Sequence, residues 1–116
     1  MHISLQSGGV QAEIDTVAAS LRSLTVGGAA VTEPRLDDDL PPFCNGIVLA
    51  PWPNRVREAK WTLDGVVQQL DITEPERGGA LHGLLQFTDY ELFSRADDAV
   101  TLGAFIPPQH GWPFAL

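Results

Sequence analysis

Eleven glycines and nine prolines are scattered along the whole of a 116-residue chain, and this limits its fold more than any other feature. Proline removes a backbone donor and fixes φ, while glycine dilutes helix propensity, so long helices are excluded. Short strands joined by tight turns remain. The clearest hairpin is residues 60–70, KWTLDGVVQQL, where Asp64-Gly65 sits between two β-prone runs. An Asp-Gly pair suits the two-residue loop because both positions take positive φ. Gly8-Gly9 and Gly27-Gly28 mark further turns, the second joining residues 24–26 to 29–31. A later hairpin runs from residues 90–95 through Ala96-Asp97-Asp98 to a strand in which Val100, Leu102, Ala104 and Ile106 alternate.

Two segments need more argument. Ile14, Val17, Leu21 and Leu24 recur at helical spacing, with Asp15 or Thr16 placed to cap. The flanking glycine pairs and short β-prone runs favour strand over residues 16–24. Residues 33–59 are punctuated by five prolines, and within them Gly46-Ile-Val-Leu-Ala50 reads as a short buried strand ending in a rigid Pro-Trp-Pro turn. The expected fold is all-β, an antiparallel β-sandwich. The length suits one domain.

Charge narrows the partners. Fifteen acidic against seven basic residues give a net charge of −8, which repels phosphate backbones and anionic lipid, so no nucleic acid and no membrane partner is expected. Residues 99–116 lack Asp, Glu, Lys and Arg, but three prolines, Gln109 and His110 spoil them as a membrane span. The first residues have neither a basic cluster nor a continuous apolar run, and the single Cys44 asks for no oxidising compartment; a cytoplasmic setting is expected.

Familiar chemistry is missing: no nucleophile elbow, no P-loop and no dinucleotide fingerprint. His2, His82, His110 and Cys44 lack the close pairing of a zinc site. Cys44, between Phe43 and Ile47, reads as a small buried hydrophobe. Asp37-Asp38-Asp39 could attract calcium, but three consecutive carboxylates in a proline-flanked loop read as a solvated turn. Two polar positions stand out. Asn54 and Arg55 follow Pro51-Trp52-Pro53, where a guanidinium would be pre-positioned for oxygen ligands. His82 lies among small residues in Gly78-Gly79-Ala80-Leu81-His82-Gly83, where backbone can be approached closely. A structural role for each, satisfying loop carbonyls or a tight turn, stays open on chemistry alone.

In this order, GIVLAPWPNRV (46–56), TLDG (62–65), ALHG (80–83) and HGWPF (110–114) resemble the aldose 1-epimerase, or galactose mutarotase, family. The resemblance implies part of a galactose-mutarotase-like supersandwich, with residues 1–116 as the amino-terminal portion of one domain whose remainder is absent. It implies interconversion of the α and β anomers of free aldoses by acid/base ring opening, with no cofactor and no metal. Arg55 would be the substrate-binding arginine and His82 the histidine that hydrogen-bonds sugar oxygens; Asn54 is a weaker binding candidate. The general-acid histidine and general-base glutamate would lie beyond Leu116, so the chain alone is expected to be inactive. Self-association through exposed sheet edges is expected.

Other polar and aromatic residues read as structural. His110 belongs to a turn marked by Gly111 and Pro113, and Arg57 with Glu58 to a solvated loop pair. Trp52, Trp61 and Trp112 read as packing, although they could face a pyranose. Glu74 and Glu76 flank Pro75 in the loop before His82 and could face the cleft, but read as surface charge. Two alternatives stay open: a non-catalytic carbohydrate-binding module, and a hexose-phosphate 1-epimerase relative, for which one lysine is a poor phosphate site.

Overall fold

The computed structural model describes residues 1–35 and 40–116; the expectation for Asp37-Asp38-Asp39 lies outside them. Among the described residues there are ten strands, two single-turn 3₁₀ helices and no α-helix. The chain divides into two compact units, Met1–Val48 with Gln86–Ala104 and Leu49–Leu85 with Phe105–Leu116.

The first unit is built on an antiparallel meander, β1 (His2–Ser7), β2 (Val10–Asp15), β3 (Ser20–Val26) and β4 (Ala29–Ala30), in that spatial order. Both glycine pairs form its turns: Ser7 pairs with Val10 across Gly8-Gly9, and Val26 with Ala29 across Gly27-Gly28. The helical spacing of Ile14, Val17, Leu21 and Leu24 has a β explanation. Ile14 and Leu21 are cross-strand partners, and Leu24 faces Ala12 beyond a register shift at Glu13/Ile14. Apolar residues on the two strands and the connecting turn thus reproduce a helical interval in sequence. The strand reading holds over residues 20–24 within Ser20–Val26 and fails over residues 16–19, which form the turn, with Val17 only bridging Asp89. A second hairpin, β9 (Glu91–Arg95) and β10 (Val100–Gly103), belongs to the same unit, its turn accepting the Gln6 amide at Asp97 O, 2.7 Å.

The interior of this unit is more polar than its sequence announces. Beside Ile3 and Ala18 lie Asp15, Thr16, Ser20 and Arg22, all buried. Asp15 is their hub. Its carboxylate accepts from Arg22 Nη1 at 3.4 Å, Arg35 Nη2 at 3.2 Å, the Val17 amide at 3.2 Å and the amino terminus at 3.4 Å, with His2 Nε2 also at 3.4 Å. Burial pushes the Asp15 carboxyl up, but the Val17 amide, the terminal ammonium and His2 outweigh it and hold it below the ordinary range. Arg35 is lowered by burial and by Arg22, against the pull of Asp15.

In the second unit β5 (Arg55–Arg57) pairs antiparallel with β8 (Gly79–Leu81), and β6 (Lys60–Leu63) with β7 (Val66–Gln69). The β6–β7 loop is the expected Asp64-Gly65, with φ of 49° and 79°. Ala59, Leu70 and Ala80 form a dry centre against which Trp52, Val56, Trp61 and Trp112 pack. Trp61 donates its indole N–H to Gly111 O at 2.8 Å. A Cβ at Gly111 would collide with the Gln69 carbonyl, so this close approach requires glycine. The three tryptophans therefore pack as the sequence suggests, Trp112 lying 5.9 Å from Trp52 and 6.0 Å from Trp61 by ring centroid.

Three local expectations need correction. Residues 46–50 form no ladder strand: only Ala50 bridges, to Gly83, Val48 is exposed, and the remaining backbone bonds are single ones, Leu21 N to Gly46 O at 2.9 Å and Val48 N to Ala18 O at 3.0 Å. Cys44 is half-buried rather than buried; it follows a fully exposed Phe43 with both residues at positive φ, and its thiol lies 3.8 Å from Gln86 Oε1. Strand β10 ends at Gly103, and buried Ile106 instead exchanges backbone hydrogen bonds with Leu116 in the second unit.

Candidate functional site

The β5–β8 ladder is what assembles the candidate site. Its last pair sets Arg55 opposite Leu81, so the residues just beyond it, Asn54 and His82, are also neighbours. Asn54 (φ 62°) and His82 (φ 58°) both take the left-handed conformation, which turns each chain out of the ladder. Two bonds then lock them together: the His82 amide donates to Asn54 O at 2.9 Å, and the Asn54 amide donates to His82 Nδ1, also at 2.9 Å. Gly83 fixes the next step. With φ at 78° it lies against the Ala50 carbonyl, which a Cβ would strike, and Leu84 N donates to that same oxygen at 2.7 Å.

The Asn54 bond settles what His82 offers. With Nδ1 occupied as an acceptor, the neutral imidazole carries its proton on Nε2 and presents a donor there. Half-buried His82 can therefore give a hydrogen bond to an oxygen ligand from that nitrogen.

Arg55 is anchored more tightly than its sequence context suggests. Nε and Nη2 donate to Glu74 Oε1 at 2.6 Å and Oε2 at 3.0 Å, and Nη1 donates to Asn54 Oδ1 at 3.3 Å. The hydrogen bond to Glu74 raises Arg55 above its already high value. The same bond holds Glu74 below the usual carboxylate range against the effect of burial, helped by the charges of Arg55, Arg77 and His82. Reading Glu74 as surface charge is thus corrected, since its side chain is 16% exposed and engaged on both oxygens. No local signal reveals this. The pairing exists because a strand from residue 55 lies beside one from residue 79.

Other candidates stay apart from this cluster. His110 sits in the expected turn, exposed, with Nδ1 3.5 Å from Asp71. Glu58 faces Lys60 at 3.7 Å. Among the described residues no group of His, Cys, Asp and Glu is arranged to hold a metal, and no helix is long and apolar enough to cross a membrane.

The chain is all-β with antiparallel ladders, and an arginine and a histidine meet one asparagine at a strand end. The chain belongs to the aldose 1-epimerase family, whose sequence model matches residues 1–116. It is 39% identical over 114 residues to the uncharacterized protein YihR of Escherichia coli K12, covering 98% of this chain and 37% of that one. The solved GalM/aldose epimerase homologue of C. elegans superposes with a TM-score of 0.80 at 18% identity, over 99% of this chain and 39% of its own. Galactose 1-epimerase of Lactobacillus acidophilus NCFM gives a TM-score of 0.75 at 17% identity, over 91% and 34%. These two likenesses bear out the fold. The chain spans little more than a third of the relatives it matches.

Proposed function

We propose that residues 1–116 are the amino-terminal portion of a single mutarotase-like domain that binds a free aldose and interconverts its α and β anomers. Mutarotation opens the ring when the ring oxygen gains a proton as the anomeric hydroxyl loses one; rotation and reclosure exchange the anomers. Arg55 and His82 hold the sugar and stabilise charge on its oxygens, with Asn54 in a lesser role. The observation that carries this reading is the pair of hydrogen bonds between Asn54 and His82, 28 positions apart, with Arg55 Nη1 donating to Asn54 Oδ1, so that Arg55 and His82 share one cluster.

Neither residue is the missing acid–base pair. Arg55 stays protonated, and His82 offers a donor rather than a free acceptor at Nε2. We place the general acid and base in the part of the family fold outside these residues, so the 116-residue chain binds sugar without catalysis. The test is NMR of α-to-β exchange in galactose and glucose with this chain, Arg55→Ala and His82→Ala. Perturbed sugar resonances with no acceleration, lost in both variants, are expected. Acceleration by the unmodified chain would place a complete acid–base pair within it, and undisturbed sugar resonances would remove the sugar-binding role.

A further inference from the structure

We infer that Glu74 is a positioning residue that aims Arg55 at two adjacent sugar oxygens, an inference that rests on the sugar-binding reading of Arg55. The guanidinium is 43% exposed at the end of a three-residue strand, where a long side chain normally samples several rotamers. Glu74 removes that freedom by taking the Nε and Nη2 donors on its two oxygens. Most exposed ion pairs are too loose to orient anything. This one is bidentate, with a half-buried carboxylate, the geometry that fixes both the plane and the direction of an arginine.

The carboxylate is itself held. The Thr73 and Glu74 amides both donate to Gly79 O, at 3.1 and 3.0 Å, and Gly79 N donates back to Glu74 O at 3.3 Å. Pro75 follows and opens a single 3₁₀ turn. Glu74 is therefore referenced to the first residue of β8, and Arg55 to the last residue of the same strand. Both ends of the ion pair share one backbone.

A donor inventory shows what is left for a ligand. Arginine has five N–H groups. Three are engaged, by the two Glu74 oxygens and Asn54 Oδ1. One remains on each terminal nitrogen. That pair matches two oxygens on neighbouring carbons, as in the vicinal hydroxyls of an aldose, and a rotated guanidinium would present a different set.

Galactose and its monodeoxy analogues are the probes, titrated by NMR into the unmodified chain, Glu74→Gln, Glu74→Asp and Arg55→Ala, with the Arg55 Nε–H resonance and the melting temperature followed in each. In Glu74→Gln galactose affinity should fall about tenfold, discrimination between galactose and at least one deoxy analogue should flatten, and the Nε–H signal should move toward that of free arginine. Glu74→Asp should recover part of the discrimination, and it carries the comparison should Glu74→Gln fail to fold. Loss of binding in Arg55→Ala with unchanged affinity, discrimination and Nε–H signal in the Glu74 variants would overturn the inference and leave the sugar-binding reading standing. No galactose binding by the unmodified chain would overturn both.

Discussion

Among the described residues two arginine–carboxylate clusters differ in what surrounds them. Around Asp15, two arginines, an ammonium and a backbone amide converge on one carboxylate at 6% exposure, with buried Thr16 and Ser20 as neighbours. Around Arg55, Glu74 takes a bidentate pair from Arg55 with Arg77 Nε 3.9 Å away, and the Arg55 side chain keeps 43% of its surface in solvent and two donors unspent. Buried charges must be paired or they unfold the structure, and the first cluster pairs its charges on Asp15 although Arg35 Nε and Nη1 stay buried without a hydrogen-bond partner. The second is ordered yet incomplete, which is what a binding group requires. Exposure of the guanidinium, rather than residue type, separates the two clusters.

The sharpest way to break this contrast is Asp15→Ala, which strands Arg22 and Arg35 beside each other. Loss of a partner in a buried pair costs about 3–5 kcal/mol, read as a lower urea midpoint, while sugar binding per folded molecule should persist. A variant as stable as the parent would show that the cluster is not scaffold. Next comes Gly83→Ala, where a left-handed φ alone costs about 1–3 kcal/mol and the Ala50 carbonyl adds a collision. Here stability and sugar binding should fall together, because His82 adjoins the displaced residue. Parent-like binding would dissociate His82 from its backbone setting.

Acid should reveal both clusters in one direction. Asp15 and Glu74 are lowered in the folded chain, so between the folded value and the ordinary carboxylate value the unfolded chain binds more protons. Their stabilising contribution is complete above about pH 4 and fades as pH falls through the folded values. In Asp15→Asn the loss below about pH 4 should be shallower, as followed by urea midpoints from pH 6 to 2; an identical slope would contradict the assignment. The smallest effect is expected for Arg55→Ala: a small drop in melting temperature in calorimetry as Glu74 loses its main partner, with sugar binding gone. A large drop in melting temperature would turn Arg55 into scaffold and erase the comparison.

The hairpins were legible because their signals are local. Asp64-Gly65 and the two glycine pairs state their turns within two residues, and the structure places all three there. Arg55 and His82 were legible through motif resemblance, and their adjacency needed only the ladder between β5 and β8. Glu74 was not, since nothing near it distinguishes a solvated glutamate from one whose partner arrives on another strand. Asp15 misled for the same reason: placed before a helical interval it suggested a cap, whereas its partners come from residues 22 and 35. Residues 46–50 misled in the opposite sense, an apolar run suggesting a strand that finds a single bridge.

The packing of the indoles has an optical consequence. All three tryptophans of the sequence belong to the unit that carries Arg55 and His82, and the sole tyrosine, Tyr90, belongs to the other. Tryptophan emission therefore reports on one unit, whereas far-ultraviolet ellipticity sums over the strands of both. Melting curves that coincide by the two signals would mean that the units lose structure together. Curves that separate would resolve the order in which they do so, with no label added.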